Sequence, residues 1–402
     1  MTALPQRLPE SSDDAVASTQ TLPGWTYSSA EFFELEKHHL LLANWQVVCH
    51  VSDLPRPGDF ATLDMLGERG FVVRGEDGEL RAFHNVCRHR AAAVVRGETG
   101  SCRQGLRCFY HGWTYGLDGR LKAIPGEAGF PNLDKSRFGL KPLQMEIWSG
   151  FVFVRFAPGG AAGGAGVAER LAPYAREIAA YRPAEMQPLG RSWEVEIVVD
   201  WKNVMDNYLE GYHVPVGHPG LFRLFGNSYV VEVQPGNVNR AVGHLRDKES
   251  ANWSERHYQR LRPTVAHLDA ELADSWRYYT LLPNIAFDVY PEFMDFFHVI
   301  PVAPGRARLR VRAYGLPGAD RNLRAARRLV HRVNRLVQRE DEELIASVQA
   351  GLGTSAYGSG YFSEKEACLQ QFHTLIRDTI PVARLAAPPK PGSMADVNAA
   401  MG

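Results

Sequence analysis

Short apolar runs broken by turns fill the first half of this chain, and longer helical periodicities close the second. Ser28 to Trp45 puts Phe32, Leu35, His39 and Leu42 on one helical face, with Ser28 and Glu31 spaced as a capping box. From Gln46 to about Phe156 the runs are strand-sized: Gln46–Val51, Phe60–Met65, Phe71–Arg74, Leu80–His84 and Phe151–Phe156. Pro55-Arg56-Pro57-Gly58 and Asp77-Gly78 supply turn chemistry between them, which predicts a small antiparallel β domain. Pro158 to Gly166 is a Gly/Ala linker. Beyond it, Val167–Tyr181 reads as helical, and Trp193, Val195, Ile197, Val199 and Trp201 alternate with acidic residues as a strand with one buried face. Arg277–Tyr290 and Phe293–Val302 read as two strands across a Pro291-Glu292 turn, and Arg306–Tyr314 as a third. Helices are predicted over Arg321–Ala350 and Glu364–Thr379, the latter opened by a Ser363/Glu366 capping box. This segregation implies an α+β class: a small all-β domain, then a larger antiparallel sheet covered by helices. The expected division is a flexible tail over 1–24, a packing helix over 25–45, the β domain over 46–157, a linker over 158–166, the larger domain over 167–385 and a second tail over 386–402.

Composition narrows the function. With 402 residues the chain holds two domains or more. Its 45 basic and 45 acidic residues balance, which argues against nucleic acid or an anionic membrane as the main partner. No apolar run approaches the ~18 residues of a membrane span. The N-terminal residues are rich in Ser, Asp and Pro and lack an apolar signal core. Five cysteines form no disulfide framework, so a reducing, cytoplasmic setting is expected.

The chemistry concentrates between Asn85 and Leu121. Cys87-x-His89 is followed, eighteen residues on, by Cys108-x-x-His111. Two loops, each with one thiolate and one imidazole, suit a Rieske [2Fe–2S] centre, in which two Cys hold one iron and two His the other. The competing reading is structural zinc, but zinc fingers usually pair Cys with Cys and His with His. A second cluster lies between Asp200 and Leu221: Glu210-x-x-His213-x₄-His218. At helical spacing Asp206, Glu210 and His213 share a face, and His218 follows from the turn that Pro215 imposes. Two His and one carboxylate form the facial triad of non-haem Fe(II) oxygenases. For the carboxylate, the late helix offers Asp341, which interrupts a stripe of Val330, Val333, Val337, Leu344 and Val348. Asp206 is the reserve candidate, and a buried salt bridge is the alternative role for Asp341. Glu340, Glu342 and Glu343 lie off that stripe.

These motifs, with "NVCRHR", "CFYHGWTY" and "DGRL" around them, resemble the Rieske-type non-haem iron oxygenases, specifically their terminal oxygenase (alpha) component, over nearly the whole chain. The resemblance implies a catalytic domain of helix-grip type. It implies that Cys87 and Cys108 hold one iron of the cluster and His89 and His111 the other, with His213, His218 and Asp341 on a mononuclear Fe(II). The family's ligand Asp lies in a stretch resembling the QRED here. It implies that Glu210 links His213 to His111 of a neighbouring copy as an electron-transfer bridge, and hence a homotrimer. Electrons are expected from NAD(P)H through a flavin/iron–sulfur reductase or ferredoxin, with O₂ and a small organic molecule as substrates. Breadth of the family favours an aromatic or related substrate, oxidised by mono- or dioxygenation. Glu rather than Asp at 210 resembles the carnitine and betaine branch, and makes a quaternary ammonium compound the alternative. A bare Rieske electron carrier is the non-enzyme alternative. The aromatic-rich segment Trp276 to Phe297 contains ordinary sheet core or pocket wall. The arginines of the long helix form a solvated face or a docking surface for an acidic reductase.

Overall fold

A computed structural model of the chain describes residues 18–157, 164–262, 265 and 267–402. Most of the expected linker and the start of the N-terminal tail lie outside the described residues. Two compact units emerge: one combines residues up to Leu41 with Ser192–Val311 and Gly318–Gly402, and the other holds Leu42–Arg191 with Arg312–Pro317.

In the latter, smaller unit the strands Leu80–His84, Glu68–Arg74, Asp59–Met65 and Thr99–Ser101 lie side by side in that order. Gln46–His50, Phe151–Arg155 and Gln144–Trp148 form a second sheet. The third sheet, of strands Leu106–Arg107, Thr114–Tyr115 and Leu121–Ala123, carries the second metal loop. Strands of two or three residues are too short to show an apolar period, so this sheet escaped the sequence pattern. One apolar core, including Phe60, Phe71, Phe83, Trp113, Tyr115 and Leu117, encloses Cys87 and Cys108. Residues 167–191 belong to this unit, not to the catalytic domain where the sequence reading put them. The cause is local: Glu146 accepts hydrogen bonds from the Val167 and Ala168 N–H groups at 2.8 and 2.7 Å, and Val167, Leu171 and Ile178 are buried. The expected helix over Val167–Tyr181 breaks into Val167–Arg170, Ala172–Tyr174 and Ala175–Ala180, with Pro173 in the break.

In the larger unit residues 306–311 of the strand Arg306–Gly315, then Met294–Ala303, Ile285–Val289, Ser275–Leu281, Val238–His244 and Val230–Gln234, are successive neighbours. Trp193–Ile197 pairs with the outer side of the first. It does not bury the expected face: Trp193 is 44% exposed, while Glu194 pairs with Arg310 and Glu196 with Arg306. The expected single strand Arg277–Tyr290 is two strands, because Pro283 has no N–H to continue the ladder and Asn284 turns back to bond the Val299 carbonyl. The helices Arg321–Leu352 and Ala367–Thr379 belong to the same unit, and the Ser363/Glu366 capping box forms as expected.

Both chain ends differ from expectation. The N-terminal segment is no continuous helix to Trp45. It consists of a turn Gly24–Tyr27, a helix Ala30–Leu35 capped by Ser29 in place of Ser28, and a wide turn Glu36–Leu41. Glu36 is fully buried, where Lys202 Nζ lies 2.7 Å from its carboxylate and the Trp201 indole N–H donates to it. The last residues are no loose tail either. Met394–Met401 is a helix with Met394 buried, and Asn398 accepts from the Val382 N–H at 3.1 Å.

Candidate metal centres

The two loops of the smaller unit are conformational copies. After Cys87, the Ala91 N–H bonds the Cys87 carbonyl and the Cys87 N–H bonds the Ala92 carbonyl. After Cys108, Gly112 and Trp113 make the same two bonds to Cys108. Both copies place the fourth residue after the Cys at positive φ, Ala91 at 59° and Gly112 at 72°. Each loop thereby buries its thiol and lifts its imidazole outward. Cys87 and Cys108 are 3% and 2% exposed, whereas His89 is half-buried and His111 exposed. The Nδ1 atoms of His89 and His111 lie 3.1 Å apart, and Trp113 stacks on the His89 ring with centroids 4.9 Å apart. Tyr115 Oη lies 3.3 Å from Cys87 Sγ and accepts the Arg88 N–H at 2.9 Å. Burial, followed by the neighbouring Cys87 thiol, pushes the Cys108 thiol up, so its thiolate needs a compensating cation. Desolvation, then His111 and Arg90, pulls His89 down and keeps it neutral and able to ligate. Two buried thiols with two convergent imidazoles fit the unequal irons of a Rieske cluster.

The second site lies in the larger unit. Asp200 caps the helix Trp201–Tyr208, which ends before Glu210. The expected continuous helical face of Asp206, Glu210 and His213 therefore does not exist. Instead His213 caps a one-turn helix, Val214–Gly217, with Pro215 in its first turn, and His218 directly follows. Gly217 permits the close approach of the long helix: a Cβ there would sit 2.9 Å from Leu344 Cδ1. The two imidazole rings stand 4.9 Å apart, and Asp341 Oδ1 lies 2.9 Å from His218 Nε2 and 3.9 Å from His213 Nε2. One ligand atom from each of the three residues falls within 4.8 Å of the others. Asp341 Oδ1 is buried and has no hydrogen-bond partner, although His218 Nε2 lies 2.9 Å away. A buried carboxylate oxygen left this way is costly unless a cation completes it, so the trio fits a metal ion.

Each imidazole is held from behind. Glu210 accepts a very short hydrogen bond from His213 Nδ1 and further ones from the Tyr212 and His213 N–H groups. Glu340 Oε2 lies 2.9 Å from His218 Nδ1. Such backing fixes ring orientation and directs each Nε2 at the shared point. Burial lowers the His218 pKa, but the Asp341 and Glu340 carboxylates outweigh it and leave it raised.

Known proteins carry both halves of this arrangement. A Rieske [2Fe-2S] domain model matches residues 44–134, and a ring hydroxylating alpha subunit (catalytic domain) model matches residues 188–381. The carnitine monooxygenase oxygenase subunit of Acinetobacter pittii (strain PHEA-2) is 30% identical over 343 residues, 84% of this chain and 86% of that protein. The chain belongs to the Rieske-type non-haem iron oxygenases. Chloroplastic choline monooxygenase of Arabidopsis thaliana is 29% identical across 90% of this oxygenase and 83% of its own length. The solved structure of the quaternary ammonium Rieske monooxygenase CntA superposes with a TM-score of 0.76 at 25% identity, covering 93% of this chain and 99% of that one. Naphthalene 1,2-dioxygenase shares the fold, with a TM-score of 0.73 at 21% identity over 91% of this chain and 93% of that one.

Within this oxygenase the reserve carboxylate, Asp206, is engaged elsewhere. One oxygen accepts from Tyr27 Oη at 2.6 Å and the other lies 2.8 Å from His373 Nε2. The stripe that singled out Asp341 is not buried to its end. Val348 is 50% exposed, and Ile345 is buried in its stead. Glu340 was missed, being off that stripe, yet it sits beside the ligand-bearing face and reaches His218. The Arg run divides too: Arg327 is buried and donates to the Glu292 carbonyl, while Arg328, Arg332, Arg335 and Arg339 are exposed. No helix among the described residues is long and apolar enough to cross a membrane.

Proposed function

We propose that this Rieske oxygenase is a monooxygenase of a quaternary ammonium compound, removing an N-methyl group or hydroxylating a carbon near the nitrogen. The observation that carries the reading is the Glu210 carboxylate on His213 Nδ1. Its support comes from relatives named as carnitine and choline monooxygenases, aligned over most of the chain. The earlier preference for an aromatic substrate, drawn from the breadth of the family, gives way to the alternative.

In this reading Cys87, Cys108, His89 and His111 hold the cluster, and His213, His218 and Asp341 hold the iron. When bound, the two centres supply one-electron transfer and O₂ activation. The chain's own residues do the rest. Trp113 and Tyr115 fix the cluster loops. Glu210 and Glu340 aim the two iron-binding imidazoles, and Glu210 connects His213 to His111 of an adjacent copy in a homotrimer. A separate NAD(P)H-dependent reductase or ferredoxin delivers the electrons. The net reaction consumes O₂, NAD(P)H and a proton, inserts one oxygen atom and releases the other as water. A hydroxylated N-methyl group then leaves as formaldehyde.

The test is a single turnover of reduced, iron-loaded protein with ¹⁸O₂ and a panel of carnitine, choline, glycine betaine and aromatic acids. Labelled hydroxylation of an ammonium compound, or formaldehyde with the demethylated amine, is the expected result. A labelled phenol or cis-diol formed in place of these would overturn the substrate class.

A further inference from the structure

We infer that Asp288 is the specificity-determining residue of the substrate pocket, the carboxylate that selects a singly positive, N-methylated head group. The inference rests on the ammonium reading above and goes beyond it by naming the counter-charge.

Three neighbouring strands locate the pocket. Ser275–Leu281 is buried along its length except at Tyr278, and Ile285–Val289 except at Asp288. Over residues 294–301 the next strand is buried except at Phe297. Tyr278 stands opposite Asp288, Asp288 opposite Asp295, and Phe297 opposite Ala286. Side chains alternate between faces along a strand, so all of these project from one face. Partial exposure confined to adjoining positions of an otherwise buried sheet marks open space above them. Of the eight aromatics between Trp276 and Phe297, only Tyr278 and Phe297 meet that space; the other six are sheet core.

The surrounding walls are aromatic. Tyr208 stacks on Phe297 with centroids 5.4 Å apart and an interplanar angle of 13°, and meets Tyr278 edge-on at 6.4 Å. Tyr229 lies against Tyr278 at 6.0 Å and also against Gly211, where a Cβ would come within 2.2 Å of its ring. Gly211 directly follows Glu210. Burial, and then Cys368, Asp288, Glu210 and Asp341, raises the Tyr229 hydroxyl, so this ring lies in the field of both the pocket carboxylate and the iron-site carboxylates.

Charge selects the ligand. Asp288 is held by a very short hydrogen bond from Tyr208 Oη and a long one, 3.5 Å, from Tyr290 Oη. No Lys or Arg among the described residues is paired with it. Burial pushes its carboxyl up to about 6, against those two hydroxyls, which leaves it ionised at neutral pH. Asp295, opposite, has a buried oxygen with no hydrogen-bond partner. Burial, then Asp288, pushes the Asp295 carboxyl well above its ordinary value, which disfavours a second negative charge beside Asp288. A half-buried carboxylate ringed by aromatic faces complements one quaternary ammonium group and no neutral hydrocarbon.

The experiment measures dissociation constants of choline and of 3,3-dimethylbutan-1-ol, its neutral carbon isostere, by calorimetry on the iron-loaded holoenzyme at neutral pH and fixed ionic strength. Wild type should bind choline at least about tenfold tighter than the alcohol. Asp288→Asn should erase that preference by weakening choline alone, with the alcohol within about twofold of wild type, and Asp295→Asn should keep the preference. A preference that survives Asp288→Asn, or none in wild type, overturns the inference. If Asp288→Asn does not fold, Phe297→Leu decides: loss of choline affinity by about threefold or more with the alcohol unmoved supports the cage, and equal losses overturn it. Turnover of an ammonium compound with the preference intact in Asp288→Asn defeats only this inference, whereas turnover of an aromatic acid without choline binding defeats the function beneath it.

Discussion

The two candidate metal centres of this oxygenase are built on opposite plans. The cluster loops offer four candidate ligands within 25 residues of chain, Cys87 to His111, and each loop closes on itself with backbone hydrogen bonds. The candidate iron site brings His213 and His218 together with Asp341, far along the chain on another element. Its imidazoles are backed by carboxylates, whereas the His89 ring rests on an indole. A cluster that only exchanges electrons needs a rigid, partly apolar cradle. An iron that must keep open positions needs ligands fixed from behind, so that binding O₂ does not reorganise them.

This contrast yields its own tests. The largest effect should come from His213→Ala or Asp341→Ala. Either should abolish turnover and lose the mononuclear iron, and metal analysis with electron paramagnetic resonance should find the Rieske signal intact. Loss of both signals would mean that the two centres do not hold their metals independently. Next, Glu210→Gln should retain both metals yet slow oxidation of the reduced cluster by O₂ and substrate in stopped flow. Wild-type oxidation rates would remove Glu210 from the connection between copies. Glu340→Gln should weaken iron binding by about 10–100-fold, the usual cost of losing a partner behind a metal-binding His. Chelator competition measures this, and unchanged affinity would leave Glu340 as a bystander. The smallest effect belongs to the reserve carboxylate. Asp206→Asn should cost about 1–3 kcal/mol of stability through Tyr27 and His373, read by urea unfolding, with iron content unchanged. Depleted iron would return Asp206 to the ligand set.

Legibility followed sequence separation. Cys87, His89, Cys108 and His111 could be read together because their spacing is the motif, and His213 with His218 because one turn separates them. Asp341 was reached through helical periodicity, which placed an acid on an apolar stripe. That same periodicity failed at Val348, about two turns further on, and it set aside Glu340. The helix before His213 was read too long because nothing local reports that Tyr229 packs against Gly211.

The sequence by itself determined the α+β class, the paired Cys/His loops and the His pair, since each depends on residues within a few turns of one another. Tertiary structure alone decided between Asp341 and its reserve Asp206, and decided that Glu340 backs His218, that residues 167–191 pack with the smaller unit, and that the final helix is anchored. It also decided that Asp288, Tyr278 and Phe297 share an open face in a buried sheet. The physical reason is common to all of these. Burial, pairing across strands and the charge state of a carboxylate are set by atoms brought together from distant positions, and a linear pattern carries no record of that approach.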